Sequence, residues 1–91
     1  MNLVYTNRFK KDFKRMMRRN KNEDKLWDIV DKLLNKKPLP SKCQDHSLSG
    51  KWKKRHDCHI EPDWVLIYYV RKDDLILERT GSHSDIFKKY Q

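Results

Sequence analysis

Ninety-one residues allow one domain, spanning 1–91, whose folding removes only about 60–65% of the unfolded chain's surface from water. Apolar residues are 36% and charged residues 38% of the chain, against roughly 45–50% and ~25% in an average soluble domain, so the core must be placed economically. The 22 Lys and Arg against 13 Asp and Glu leave a net charge of +9, which excludes an acidic scaffold and points to a polyanionic partner: nucleic acid, anionic membrane or acidic protein.

Leu3, Val4 and Tyr5 form a short β-prone run, read as an edge strand, and Thr6 or Asn7 can cap a helix after it. Phe9, Phe13, Met16 and Met17 then recur at i, i+4, i+7 and i+8, one helical stripe that predicts core contact. The other face carries Arg8, Lys10, Lys11, Lys14, Arg15, Arg18 and Arg19; it is solvated by default, with RNA contact the open alternative. Residues 20–24 read as a turn with Asn22 as cap. Leu26, Trp27, Val30, Leu33 and Leu34 restore the helical period to about Lys36, and Pro38 stops it. The two helices are predicted to pack antiparallel. Residues 37–51, with Pro38, Pro40, Ser41, Ser47, Ser49 and Gly50, predict an irregular loop.

From Trp52 the apolar period shortens to that of a strand. Trp52, Lys54, His56, Cys58 and Ile60 share the side read as inner, with Lys53, Arg55, Asp57 and His59 opposite. Residues 61–63 turn the chain, and 64–70 are apolar on both sides, as in a central strand covered on both faces. Residues 72–74 make a tight connection to a partner strand over 75–80, which Gly81 ends; Ser82 or Ser84 can cap a last turn running to Phe87. The order β-α-α-β-β-β predicts an α+β domain: a small, mostly antiparallel sheet with two N-terminal helices on one face and a short C-terminal helical turn.

No run approaches the ~18 apolar residues of a membrane span, and residues 1–5 are too short for the apolar stretch of a signal peptide, so a cytoplasmic chain without membrane contact is expected. Cys43 and Cys58 are too few for a disulfide framework, and reduced thiols follow. With Gly50 and Gly81 as the two glycines, no glycine-rich phosphate loop can be drawn.

In the predicted meander, His59, Asp63, Trp64, Arg79 and His83 gather at one end of the sheet, and the loop carrying His46 is able to fold over them. That set suits RNA cleavage without metal or other cofactor. The ribose 2′-hydroxyl must lose a proton as it attacks phosphorus, and the leaving 5′-oxygen must gain one; imidazole, with an ordinary pKa of about 6.5, does either. A guanidinium holds the charge of the transition state, exposed aromatics stack on splayed bases, and Lys51, Lys53 and Arg55 can track phosphates. Each residue has a plainer reading. Trp64 can equally be core, Asp63 can simply fix its turn, and Arg79 can pair at the surface with Glu78 or Asp74. Zinc competes through Cys43-x-x-His46 and His56-x-Cys58, although the first pair lies in a proline-bracketed loop and neither has a knuckle glycine.

Three stretches, Asp45-His46-Ser47-Leu48-Ser49-Gly50-Lys51-Trp52, Asp57-Cys58-His59-Ile60-Glu61-Pro62-Asp63-Trp64 with the Val65–Tyr68 run, and Glu78-Arg79-Thr80-Gly81-Ser82-His83-Ser84-Asp85-Ile86-Phe87, resemble the YafQ-type branch of the RelE/ParE toxin superfamily. The resemblance implies a RelE-like fold and a type II toxin: an endoribonuclease that cleaves messenger RNA in the ribosomal A site and is silenced by a cognate antitoxin. It carries functional roles onto His46, His59, Asp63, Arg79 and His83, and places the family's terminal aromatic on Phe87. Lys88, Lys89, Tyr90 and Gln91 extend past that aromatic. His56 is an additional imidazole expected to face away from His59 and to be dispensable. A +9 toxin calls for an acidic, amphipathic antitoxin segment. A non-catalytic nucleic-acid-binding module or a gyrase-directed toxin of the ParE side is the alternative, disfavoured because binding alone needs no titratable cluster.

Overall fold

Thr6 closes the first strand and opens the first helix. Strand β1 (Asn2–Tyr5) precedes it and helix α1 (Asn7–Arg18) follows; the Thr6 hydroxyl accepts the Phe9 N–H at 2.9 Å and donates to the Glu78 carbonyl at 2.8 Å. These elements belong to a computed structural model that describes residues 1–43, 46–48 and 54–87, with the backbone alone at Lys42, His46 and Ser47. Asn20, at φ 62°, ends α1 in the left-handed region, so that the Lys21 and Asn20 amides return to the Met16 and Met17 carbonyls. Helix α2 (Glu23–Leu34) starts at Asn22, whose side chain accepts the Asp24 N–H at 3.0 Å. It closes in the same way as α1, with Lys36 at φ 54° and the Lys37 amide bonded to the Lys32 carbonyl. The helix therefore stops two residues short of Lys36. A left-handed cap terminates it before Pro38 is reached.

The segment expected to be irregular contains a 3-10 turn at Ser41–Cys43 and a two-residue strand, β2 (His46–Ser47). Lys51, Trp52 and Lys53, like residues 88–91, lie outside the described residues. Strand β3 (His56–Glu61) begins later than the alternation suggested, because Lys54 sits at φ 68°, which a strand does not accommodate. Two-residue links at 62–63 and 72–73 then connect β3 to β4 (Trp64–Arg71) and β4 to β5 (Asp74–Gly81), and helix α3 (His83–Phe87) follows. The described strands form one sheet in the order β1-β5-β4-β3-β2. The β3-β4-β5 meander is antiparallel as predicted, whereas edge strand β1 runs parallel to β5, with Leu3 opposite Leu75 and Tyr5 opposite Leu77.

The two faces of the sheet are covered unequally. Cys58, Ile60, Trp64, Leu66, Tyr68, Leu75 and Leu77 pack with Phe9, Met16, Leu26, Ile29, Val30 and Cys43. On the far face Val65 and Ile67 meet Ile86, with Leu48 and Phe87 against them. Strand β4 thus has apolar cover on both sides, as its unalternated sequence required. Cys43 and Cys58 are free, buried core thiols, and the His56 ring stacks on Tyr68 at 5.3 Å, so packing accounts for three of the four residues of the zinc reading.

A bulge interrupts the β4–β5 register: Tyr68 opposes Leu77 but Ile67 opposes Arg79, leaving Glu78 over. The extra residue reverses the alternation, so Thr80 rather than Arg79 continues the helix-facing row. Arg79 shares the far-face row with Ile67, yet its guanidinium still reaches α1. Its Nε donates to Asp12 Oδ2 at 2.8 Å and its Nη2 to Oδ1 at 2.9 Å, while the Thr80 amide donates to Oδ2 at 3.2 Å. Asp12 is 1% exposed and Arg79 8%. The plainer alternative for Arg79, a surface pair with Glu78 or Asp74, gives way to this buried one. Removing one partner strands the other's charge in the core, so Asp12→Ala is expected to lower the unfolding free energy by about 3–5 kcal/mol in urea titrations. The double variant Asp12→Leu/Arg79→Met, which leaves no unpaired ion, is expected to regain part of that loss.

Candidate active site

Cross-strand register brings the site residues to one end of the sheet. His59, Val65 and Gly81 form one row across β3, β4 and β5; the next row on the same face holds His46, Asp57, Ile67 and Arg79. The turn carrying Asp63 and the start of α3 lie just beyond the first row.

The β5–α3 junction is built by local chemistry. Ser82 is the cap: its N–H donates to Asp85 Oδ2 at 2.8 Å, and the Asp85 N–H returns to Ser82 Oγ at 3.1 Å, a reciprocal capping box. A Cβ on Gly81 would lie 2.9 Å from Asp85 Oδ2 and 3.0 Å from Asp85 Cβ, so glycine is what lets this carboxylate fold back. His83 then becomes the first residue of α3. Its backbone N–H donates to Asp63 Oδ1 at 2.9 Å, and its ring Nδ1 lies 2.7 Å from the same oxygen.

That pair defines the protonation geometry. Bonds from the His83 backbone amide and then from its ring hold the Asp63 carboxyl below the usual carboxylate range. A carboxylate only accepts, so Nδ1 of His83 is the donor and Nε2 is left for chemistry: a lone pair in the neutral ring, an N–H in the cation. The His59 ring stands edge-on to His83 with centroids 5.1 Å apart, and the Phe87 ring lies 6.1 Å from His83. The His83 and Asp63 side chains are 45% and 70% exposed, open to a polymeric substrate. Behind the turn, Glu61 accepts from Lys21 at 2.8 Å and Lys25 at 2.9 Å, and these bonds depress its pKa.

His59, Asp63, His83 and Phe87 are therefore brought together. Arg79 sits in the adjoining row with Nε and Nη2 committed to Asp12, whose bond is the first cause of its raised pKa; Nη1 stays outside that fork. The backbone of His46 enters the same row opposite Asp57. Trp64 requires a correction. It is wholly buried in the helix-side core, and its indole N–H donates to Thr80 Oγ at 2.8 Å, so the ring cannot stack on a base. Arg55 is engaged within the sheet, its Nε 2.6 Å from Glu78 Oε1 and its guanidinium 4.3 Å above the Tyr69 ring. His56 faces away from His59, as expected. The sequence reading missed Asp12, although a signal existed: it is the one acid in a basic helix and falls inside the apolar stripe between Phe9 and Met16.

The fold that carries these residues is that of a known toxin class. The family model for YafQ, the bacterial toxin of a type II toxin–antitoxin system, matches residues 1–88, and the chain belongs to that family. It is 41% identical over 86 residues to the mRNA interferase toxin YafQ of Escherichia coli, covering 93% of this chain and 94% of that protein. The structure superposes on a copper-bound mutant toxin from Helicobacter pylori with a TM-score of 0.92 at 41% identity, covering 96% of this chain and 99% of the other. It also matches YafQ within the Escherichia coli DinJ–YafQ toxin–antitoxin complex, with a TM-score of 0.86, 40% identity and coverage of 94% and 96%. Among the described residues no three His, Cys, Asp or Glu side chains converge as a metal site.

The depressed Asp63 and Glu61 predict acid sensitivity. Each folded pKa lies below its unfolded value, near 3.9 for Asp and 4.3 for Glu, so their stabilisation is complete above those values and is lost as pH falls through the folded ones. Thermal melts from pH 7 to 3 are expected to decline less steeply below pH ~4 in Asp63→Asn than in wild type.

Proposed function

We propose that this chain is an endoribonuclease that cleaves messenger RNA in the ribosomal A site and so inhibits translation. The observation that carries the reading is the His59–His83 pair, with the exposed His83 ring fixed by Asp63. One imidazole takes the 2′-hydroxyl proton while the 2′-oxygen attacks the adjacent phosphorus. The other gives a proton to the departing 5′-oxygen. The products carry a 2′,3′-cyclic phosphate, or a 3′-phosphate after its hydrolysis, and a 5′-hydroxyl. Nη1 of Arg79, held in place by the Asp12 fork, stabilises the added negative charge, and His46 assists from the neighbouring row. Phe87 stacks on a substrate base, Lys51 and Lys53 hold phosphates, and Arg55 contributes there from its pair with Glu78. No step needs a metal. The ribosome supplies what an open site lacks, a substrate already held in attack geometry. Ribosome-bound substrate also makes the cytoplasm its place of action, in keeping with the absence of any helix among the described residues long and apolar enough to cross a membrane.

Escherichia coli YafQ forms a complex with DinJ, and we infer a cognate acidic antitoxin for this chain. A groove of about 330 Å³ lined by Tyr5, Phe9, Phe13 and Trp27, with Lys10 and Lys14 beside it, suits an acidic segment bearing an apolar anchor. Affinity for the antitoxin is expected to weaken between low and moderate salt and then level off as the apolar part remains. Calorimetry showing no salt dependence would remove the electrostatic half of this proposal.

The reading is tested by cleavage of a defined messenger RNA in EDTA, with and without programmed ribosomes, mapping the new ends. His83→Ala and His59→Ala are each expected to slow single-turnover cleavage by about 10²–10⁴. Salt-sensitive RNA binding without cleavage would instead favour a binding module, and a gyrase assay would follow.

A further inference from the structure

Asp12 and Arg15 of α1 and its C-cap Arg19 recur at intervals of three and four and share one helical stripe. All three address the segment that follows the β5 bulge. Asp12 holds Arg79 and Thr80. Arg19 forks onto Asp85, with Nη1 2.8 Å from Oδ2 and Nη2 3.2 Å from Oδ1. Arg15 bridges the two acids, 3.3 Å from Asp12 Oδ1 and 3.8 Å from Asp85 Oδ2. The Arg19 bond is the first cause that holds the Asp85 carboxyl far below the usual carboxylate range.

The clamp matters because of what α3 is. Five residues are too few for a helix to persist unaided, and Ile86 is its one buried apolar anchor. Ile86 and the partly buried Phe87 both lie at its far end, so apolar packing alone does not fix its start, where His83 sits. Asp63 grips the His83 amide and ring from the sheet side; Asp85 ties the same turn to α1 from the helix side.

We propose that Asp85, clamped by Arg19 and Arg15, is a positioning residue for His83: it fixes the turn that aims the imidazole at the scissile phosphate. Part of the basic face of α1 is thus a fixture for the catalytic segment rather than a solvated or RNA-binding surface. The kinetic consequence rests on the ribonuclease reading above; the effect on the ring does not.

Two variants test it. Asp85→Asn keeps an acceptor for the Ser82 N–H but loses the ion pair, and Arg19→Gln removes the pair from the other side. In each, well below its melting temperature, kcat for ribosome-dependent cleavage is expected to fall on the order of 10- to 100-fold while KM stays within about twofold. The double variant is expected to be no worse than either single one. Neither change is expected to reduce further the residual activity of His83→Ala. In the free protein, the ¹⁵N signal of His83 Nδ1, which reports its bond to Asp63, is expected to shift in both. Wild-type kcat with an unaltered ring signal would overturn the proposal, and so would an equal loss in the His83→Ala background, which would mark the pair as purely structural. If Asp85→Asn is unfolded at the assay temperature, Arg19→Lys, which keeps the charge but cannot fork, takes its place under the same criteria. Full activity in His83→Ala would refute the catalytic reading of His83 and leave the ring signal to decide positioning.

Discussion

The Asp12–Arg79 pair is the constraint on which the rest of the structure hangs. Strand β1 pairs with β5 only as far as Leu77, so beyond that point β5 keeps β4 on one side but has no paired strand on the other. Asp12 takes over by accepting from the Thr80 amide and from Nε and Nη2 of Arg79. A buried amide and a buried guanidinium are thereby satisfied by one carboxylate, where either alone would cost heavily. The bulge at Glu78 sets Arg79 in the row of Ile67 and Thr80 in the helix-facing row, and Asp12 holds both.

Downstream of that anchor the site is assembled from short, rigid pieces. A two-residue turn presents Asp63, a capping box fixes the start of α3, and Gly81 leaves room for Asp85 to fold back. The His83 and Asp63 side chains remain open to solvent while the backbone at His83 is held by hydrogen bonds. Such an arrangement suits the proposed macromolecular substrate, giving access while the His83 imidazole stays fixed.

The composition explains why ions carry so much of this work. With 36% apolar residues the chain cannot clamp every junction by burial. The larger core lies between the helices and the sheet, and the far face has only Val65, Ile67 and Ile86, with Leu48 and Phe87 beside them. Elsewhere carboxylates serve as junctions: Glu61 ties the α1–α2 turn to the end of β3, Asp85 ties α1 to α3, and Glu78 holds Arg55 across the sheet. The net charge of +9 is therefore what remains after much of the acidic complement has been committed internally.

Much of this was legible in the sequence. The stripe Phe9–Phe13–Met16, the caps Thr6 and Asn22, the doubly covered strand at 64–70 and the tight links that follow are signals of local period and local hydrogen bonding. They also sufficed to bring His59, Asp63 and His83 to one end of the sheet, since an antiparallel meander leaves no other place for them. What only the tertiary structure decided were features set by partners distant in sequence: β1 running parallel to β5, Trp64 turned into the core toward Thr80, and Arg79 joined to Asp12 across 67 positions. Local pattern specifies which face a residue occupies. One extra residue at Glu78 changes that face for everything after it, and only the pairing of strands and the docking of α1 determine where such a residue falls.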